Sequence, residues 1–330
     1  MKLVIQIPCY NESKTLPATI SALPREVGGF ESVEWLLVDD GSSDDSVTVA
    51  REHGVDHVVS HPRNQGLART FMTGLSEAIR LGADVIVTTD ADNQYDAACI
   101  PALVAPILAG ECDIAIGARP IDTIEHFSPV KKSLQRLGSW VVRKASGTEI
   151  QDAPSGFRAI SREAALHLEV FTSYTYTLET IIQSGYKNLA VSSVPVAVNE
   201  DLRPSRLVRS IPGYVLRSMG TIVRVFLLYR SFALLLTVGI LLMTAGFLLG
   251  VRYLYFFFIG EGAGHVQSVI LMSILTVVGF QTVLFAVLID LISTNRRLLE
   301  RLTYFAKKQH WAGDGVPKDG AMQKEPGSGL

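Results

Sequence analysis

The stretch Val85–Asp96, VIVTTDADNQYD, closes an apolar, β-branched run with Asp90, Asp92 and Asp96 almost together and Gln94 between the last two. Carboxylates this close repel one another, and burying them unpaired is costly. A divalent cation removes the difficulty. Carboxylates at i and i+2 beside an amide carbonyl are hard oxygen donors that suit Mg2+ or Mn2+, ions that keep positions open for substrate phosphates. A cation held on a diphosphate would stabilise the charge that develops as a nucleoside diphosphate leaves. The same residues also suit a solvated Asp/Asn turn, so their meaning rests on what accompanies them.

Two other segments carry similar chemistry. Pro8–Glu12, PCYNE, follows a first apolar run, and Val38–Ser46, VDDGSSDDS, follows a second. An Asp or Glu just after a strand can bond a ribose hydroxyl or a base N–H, and Gly41 permits a sharp turn close to a ligand. NES and GSSDD also read as helix N-caps, and both roles are expected together. No G-x-G-x-x-G follows the first strand and no G-x-x-x-x-G-K-[ST] occurs, which disfavours a dinucleotide site and a P-loop.

These segments need a scaffold that gathers them. Short β-rich runs fall at Leu3–Pro8, Trp35–Asp39, Asp56–Ser60, Asp84–Thr89 and Asp113–Gly117. Helical periodicity fills the intervals at Ser13–Leu23, Ser43–His53, Leu67–Leu81 and Ala98–Leu108. This alternation predicts a mostly parallel sheet covered on both faces, and such sheets bind ligands outside the carboxyl ends of their strands. All three acidic segments then share one edge. Past residue 120 the pattern changes. His126–Gly147 is basic and helical in period, Asp152–Ser161 reads as a loop and a returning strand, Thr175–Ser184 as a helix and Leu189–Val198 as a final strand.

The 330 residues carry 30 Lys and Arg against 32 Asp and Glu, a net charge of −2 that suggests no nucleic-acid partner. Mean hydropathy is +0.28, high for a soluble chain, so the apolar excess must be local. Ser231–Val251 and Ser268–Ile289 hold it: both are uncharged and, as helices, about 30 Å long, enough to span hydrocarbon. A buried helical pair in a soluble core is the plainer alternative. Ahead of them, Arg203–Arg230 sets six arginines among Leu, Ile, Val, Tyr and Phe, as an amphipathic helix in the membrane interface requires. Arg217, Arg224 and Arg230 before the pair, and Arg296, Arg297, Arg301, Lys307 and Lys308 after it, place both flanks in the cytoplasm by the positive-inside rule. From Gln309 the chain is polar and Gly/Pro-rich, the composition of a disordered tail. Cys9, Cys99 and Cys112 match no zinc or redox spacing and read as free thiols in a reducing compartment. The opening MKLVIQIPCY is too short an apolar run for a signal peptide and reads as a first strand.

Taken in order, PCYNE, VDDGSSD, RNQGLA, DADNQ, GAR and SGFR, followed by a two-helix membrane tail, resemble glycosyltransferase family 2. Within it the chain is most similar to the polyprenyl-phosphate glycosyltransferases, the group that includes dolichyl-phosphate mannose synthase and bacterial undecaprenyl-phosphate glucosyltransferases. The resemblance covers residues 1 to about 308 and implies an α/β fold: a GT-A (Rossmann-like) catalytic domain over 1–202, amphipathic interface helices over 203–230, a transmembrane hairpin over 231–292, and a basic cytoplasmic end with a disordered tail over 293–330. It also implies roles. Pro8, Tyr10, Glu12, Asp39 and Asp40, with Asp90 and Ala91, would hold the nucleotide. Asp90 and Asp92 would face the donor diphosphate, with Asp92 and Gln94 ligating Mg2+ or Mn2+. Arg119 would contact a donor or acceptor phosphate, and Asp152 and Arg158 would flank the reaction centre. Arg203, Arg206 and Arg209 match the basic segment that grips phosphate just before the membrane helices. Many dolichyl-phosphate mannose synthases carry DADLSH-like text where this chain has DADNQYD, so the resemblance does not specify mannose, and a UDP-sugar is favoured over GDP-mannose.

A hydroxyl acceptor needs a general base. No QxxRW motif and no obvious Glu-Asp pair stands where processive synthases of the family keep theirs. A phosphate monoester is already mostly ionised at pH 7, with its second pKa near about 6, and asks only for cations to position it. The expected reaction is therefore inverting transfer of a sugar to polyprenyl phosphate at the cytoplasmic leaflet of the inner or plasma membrane. A processive polysaccharide synthase, a non-catalytic sugar-nucleotide scaffold and a transporter remain as alternatives. Gly239, Gly246 and Gly250 lie near helix-packing spacing and could support a homo-oligomer.

Overall fold

A computed structural model describes residues 1–120, 138–144, 146–170, 176–199 and 211–313. The N-terminal part alternates β1 (Lys2–Cys9), α1 (Leu16–Ala22), β2 (Ser32–Asp39), α2 (Ser46–Glu52), β3 (His57–Ser60), α3 (Leu67–Arg80), β4 (Val85–Thr88), α4 (Ile100–Leu108) and β5 (Ile114–Ala118). A helix over 138–144 (α5), β6 (Arg158–Ser161), α6 (Arg162–His167), α7 (Thr177–Tyr186) and β7 (Val191–Pro195) complete the domain. The long helices α8 (Ile211–Ile259) and α9 (Val266–Gly313) follow.

The strands form one seven-stranded sheet in the order β3-β2-β1-β4-β6-β5-β7. All pairings are parallel except those of β6, which runs antiparallel to both β4 and β5. Side chains alternate across the sheet. Val4, Leu36, Val38, Ile86, Ile116 and Ile160 pack on one face against α3, α6 and α7, while Leu3, Ile5, Leu37, Val85, Val87 and Ala159 pack on the other against α1 and α4. A sheet buried on both faces explains the near-continuous apolar runs. The chain leaves β1 toward β2 and β3 on one side and toward β4 on the other, so the strand order reverses between β1 and β4. Crevices open at such points in α/β sheets.

One of the two expected caps forms: Asp44, within GSSDD, accepts the Ser46 amide at the start of α2 at 3.1 Å. Thr15 and Asp45 occupy the N-cap positions of α1 and α2, and neither makes a side-chain cap bond. The polar residues also stitch two loops together. The Asn11 amide donates to Ser42 Oγ at 2.9 Å, the Glu12 amide to Ser46 Oγ at 2.9 Å, the Ser13 amide to Asp44 Oδ2 at 3.0 Å and the Ser43 amide to Asn11 Oδ1 at 2.8 Å.

At the C-terminal end, α8 and α9 contain 49 and 48 residues, each about 70 Å long at 1.5 Å per residue. Both include stretches long and apolar enough to cross a membrane, Phe232–Ile259 and Val266–Gln309. The expected interface segment and first span share one helix, since α8 runs unbroken from Ile211. No proline follows Pro212 before Pro317 to interrupt it. The helix α9 likewise continues through the basic end to Gly313, so the described part of that end is helical. Residues 314–330 lie outside the described residues.

The glycines of the two apolar helices are used within the hairpin. A Cβ on Gly239 would stand 3.0 Å from the Gly279 carbonyl, one on Gly279 2.9 Å from the Gly239 carbonyl, one on Gly246 2.7 Å from Thr276 Oγ1 and one on Gly250 2.6 Å from Met272 Sδ. These small residues let α8 and α9 approach each other. Gly239, Gly246 and Gly250 thus each face the opposite helix of the same chain.

Candidate active site

The acidic turn begins two residues past the end of β4, where the strand order reverses between β1 and β4. The Thr89 amide donates to the Gln6 carbonyl at 3.1 Å, the last ladder bond before Asp90. From there the turn is fixed on both sides. Thr15 and Thr19, one helical turn apart, both donate their hydroxyls to the Ala91 carbonyl at 3.0 Å. On the other side, the Asn199 amide donates to the Gln94 carbonyl at 2.9 Å, and Asn199 Nδ2 donates to the carbonyls of Asn93 at 3.0 Å and Tyr95 at 3.3 Å. Asn93 takes a left-handed φ of 57°, the sharp bend that brings the Gln94 amide to 3.3 Å from Asp92 Oδ1. Asp92 and Gln94 are thus held as neighbours by a rigid backbone.

Asp90 packs against the loop that precedes β6. A Cβ on Gly156 would sit 3.1 Å from both carboxylate oxygens of Asp90 and 3.0 Å from Tyr176 Oη. Two tyrosines grip this glycine: its amide donates to Tyr95 Oη at 3.0 Å, and Tyr176 Oη donates to its carbonyl at 3.2 Å. Burial raises the pKa of both phenols, so each keeps its proton at neutral pH. Tyr95 stacks on Phe157, and Tyr176 stacks on Phe71 at 3.8 Å between centroids.

Next to this loop, Arg119 at the end of β5 makes a two-pronged ion pair with Asp152. The resemblance placed Asp152 and Arg158 together at the reaction centre. Both are 1% exposed, but Asp152 pairs with Arg119 while Arg158 is turned toward backbone carbonyls and α7. Its guanidinium donates to the carbonyls of Ser155, Ala153 and Thr177 and to Thr180 Oγ1, at 2.6–3.0 Å. Burial lowers its pKa to about 10, so it stays cationic and tied to those oxygens. Arg158 therefore shapes the loop from behind.

The nucleotide-side residues divide in the same way. Pro8 is buried in β1 opposite Val38, and Tyr10, just beyond β1, keeps 43% of its surface exposed. Glu12 is buried and accepts from Thr15 Oγ1 at 3.0 Å. Asp39 accepts the Ser42 amide at 3.0 Å. Asp40, expected to touch nucleotide, has its carboxylate engaged by protein: His61 Nδ1 lies at 2.9 Å, and the amides of Gln65 and Gly66 donate to it at 2.8 Å. It anchors the RNQG loop, which passes so close that a Cβ on Gly41 (φ 71°) would stand 2.7 Å from the Arg63 carbonyl carbon. Burial pushes the Cys9 thiol up to about 12, which removes it as a nucleophile.

Among the described residues no group of three His, Cys, Asp or Glu gathers as a closed metal cage. Asp92 and Gln94 place a carboxylate and an amide oxygen side by side on one half-buried turn. That donor set fits a hard divalent cation that completes its shell with phosphate oxygens and water. Arg203, Arg206 and Arg209 lie outside the described residues.

Residues 4–168 match the family model described as Glycosyl transferase family 2. The chain belongs to glycosyltransferase family 2.

The relatives of this glycosyltransferase narrow its setting. It is 27% identical to the UDP-N-acetylglucosamine–dolichyl-phosphate N-acetylglucosaminyltransferase of Methanococcus voltae, over 58% of this chain and 82% of that one. It is 26% identical to the undecaprenyl-phosphate mannosyltransferase of Micrococcus luteus, over 64% of this chain and 90% of that one. Among solved structures, glucosyl-3-phosphoglycerate synthase of Mycobacterium tuberculosis, in complex with Mn2+, UDP-glucose and phosphoglyceric acid, superposes with a TM-score of 0.53. That match is 22% identical and covers 67% of this chain and 79% of the other, which supports the GT-A fold of the catalytic domain.

Sequence reasoning missed Asn199, Tyr176 and the Thr15–Thr19 pair in the glycosyltransferase site. Each is a common residue with no motif of its own. Only Thr15 and Thr19, at helical i,i+4 spacing, left a faint signal.

Proposed function

We propose that this glycosyltransferase is a membrane-bound inverting enzyme that moves a sugar from a UDP-sugar to polyprenyl phosphate. The observation that carries the reading is the Asp92–Gln94 turn at the switch point of the sheet, in one chain with a two-helix hairpin of membrane-spanning length. Relatives named for dolichyl and undecaprenyl phosphate support the same acceptor class.

In this reading Tyr10 offers an exposed ring on which the base lies, and Asp39 and Glu12 bond the base and ribose. Asp92 and Gln94 hold Mg2+ or Mn2+, which when bound neutralises the diphosphate as it departs. Asp90, fixed against Gly156, orients the donor sugar, while Asp152 keeps Arg119 in place beside the transferred group. Arg203, Arg206 and Arg209 hold the lipid phosphate without quenching it. A phosphate oxygen attacks the anomeric carbon from the face opposite the nucleotide. The new C–O bond forms as the bond to the nucleoside diphosphate breaks, and the electron pair leaves with the diphosphate. No proton needs removal, because the phosphate monoester is already ionised. The basic flanks of the hairpin hold the catalytic domain on the cytoplasmic side.

The test is nucleotide release by liposome-reconstituted protein with Mn2+ or Mg2+ and polyprenyl phosphate, across UDP-glucose, UDP-GlcNAc, UDP-galactose and GDP-mannose. Release that requires one sugar nucleotide together with the lipid phosphate supports the reading. Release with a hydroxyl acceptor in place of the lipid phosphate, or with none of the donors, overturns it.

A further inference from the structure

We propose that the cytoplasmic end of α9 positions the reaction-centre loop: Glu300, Tyr304 and Lys307 dock on the catalytic domain, and α7 carries that docking to residues 153–158 beside Asp90. The activity arm of this inference rests on the function proposed above; its structural arm does not.

The helix α9 continues past its apolar stretch without a break. From Ile292 to Lys307 it advances about 20 Å. Its end does not stand free in solvent. The Tyr304 ring stacks on His167 of α6, with centroids 4.3 Å apart and planes 3° from parallel, and its hydroxyl donates to Glu163. Lys307 pairs with Glu169, and Glu300 lies 3.4 Å from Lys187 at the C-cap of α7. Residues 300, 304 and 307 share one helix face. A single exposed ion pair would contribute little, but here two ion pairs and a ring stack act on one patch. The α8 helix also packs against α7, so both arms of the hairpin reach this element.

The contacted residues are themselves locked to α7. The Glu169 amide donates to Gln183 Oε1 at 3.2 Å, Gln183 Nε2 donates back to the Glu169 carbonyl, and Lys187 Nζ donates to the His167 carbonyl at 2.6 Å. Gln183 is fully buried, and every residue from Thr177 to Ser184 is buried. The opposite end of the same helix holds the site. The Thr177 carbonyl and Thr180 Oγ1 take Arg158, which in turn holds the Ser155 and Ala153 carbonyls. Tyr176, at the N-cap of α7, donates to the Gly156 carbonyl. Ten residues of helix, about 15 Å, separate the two ends. An element packed this closely shifts as a body.

Such a link has a chemical use. The lipid phosphate is confined to one depth at the membrane, while the donor sugar is held on the domain. In-line attack needs the reacting atoms about 3–3.5 Å apart, and a misplacement of about 1 Å can cost 100-fold in rate. Docking by α9 sets the domain against the membrane and the loop against the donor together.

The experiment uses full-length protein in liposomes carrying Lys307→Glu, Glu169→Lys, or both, a cycle that isolates the coupling. Three quantities are read: amide hydrogen exchange over residues 153–158, UDP affinity, and kcat for transfer to polyprenyl phosphate. Each single change is expected to speed exchange in the 153–158 segment and lower kcat about tenfold with UDP affinity unchanged. The double reversal restores both. Unchanged exchange in the single variants overturns the inference, as does a double variant that recovers neither quantity or a parallel loss of UDP affinity. Wild-type protein that does not use polyprenyl phosphate would sink the proposed function, while the exchange measurement would still decide the coupling.

Discussion

Arg119 and Asp152 meet through two bonds, Nε to Oδ2 at 2.6 Å and Nη2 to Oδ1 at 3.1 Å, on a carboxylate that is 1% exposed. The pair joins the end of β5 to the loop leading into β6, so it serves the fold and the site at once. Breaking such a pair by removing one partner leaves a buried charge uncompensated. Asp152→Ala is expected to lose about 3–5 kcal/mol of stability, seen as a depressed melting temperature in detergent. A variant that melts with the wild type would remove Arg119 as the residue that needs Asp152.

The Asp92–Gln94 turn predicts a metal response. Asp92→Ala is expected to lower donor turnover by at least about 100-fold, with Mn2+ titration failing to restore it. Chelation of the wild type should reproduce the loss and added Mn2+ reverse it. Turnover that survives both treatments would place the divalent cation elsewhere.

Gly156 is constrained by space. A methyl group there would press on both Asp90 oxygens and on Tyr176 Oη. Gly156→Ala should therefore cut kcat about tenfold or more while the protein still folds and binds UDP. Kinetics paired with nucleotide binding distinguish this from general unfolding.

Asn199 holds the turn from outside the motif. Asn199→Ala removes the bonds to the Asn93 and Tyr95 carbonyls and should cost about 1 kcal/mol. The more telling readout is the Mn2+ concentration for half-maximal turnover, expected to rise about 10-fold because the ligands lose their support. An unmoved half-saturation point would argue that Thr15 and Thr19 suffice.

In the hairpin, Gly279→Leu would drive a side chain into Met243 and the Gly239 carbonyl. The expected result is a lower melting temperature with no change in oligomeric state, measured by light scattering of the detergent-solubilised protein. A shift in subunit number would return these glycines to an intermolecular contact.

How far the sequence could be read depended on the range of the interaction. The alternation that marks β1 to β5, the acidic segments at their carboxyl ends and the two uncharged spans are local patterns fixed by side-chain chemistry and period; the structure keeps the strands with ends moved by a few residues and sets the spans inside two much longer helices. GSSDD keeps its cap through Asp44, whereas the Asn11–Ser13 segment is taken up by bonds to Ser42, Ser43, Asp44 and Ser46, a competition that composition does not reveal. The helix runs on through residue 231 because a change of polarity does not end a helix that no proline interrupts.

By itself the sequence determined the fold class, the shared edge of the acidic segments and the pair of long apolar helices, since hydrophobic period and strand–helix order act over neighbouring residues. Only the tertiary structure decided which charges are spent. Arg158 and Asp40 carry the motif signature, yet their hydrogen bonds close on protein oxygens and amides, whereas the unremarkable Asn199 and Tyr176 hold the turn and the loop in place. Hydrogen bonds between groups far apart in sequence satisfy buried polar atoms, and which atoms they satisfy is set by the packing of the sheet and α7, not by the identity of the residue.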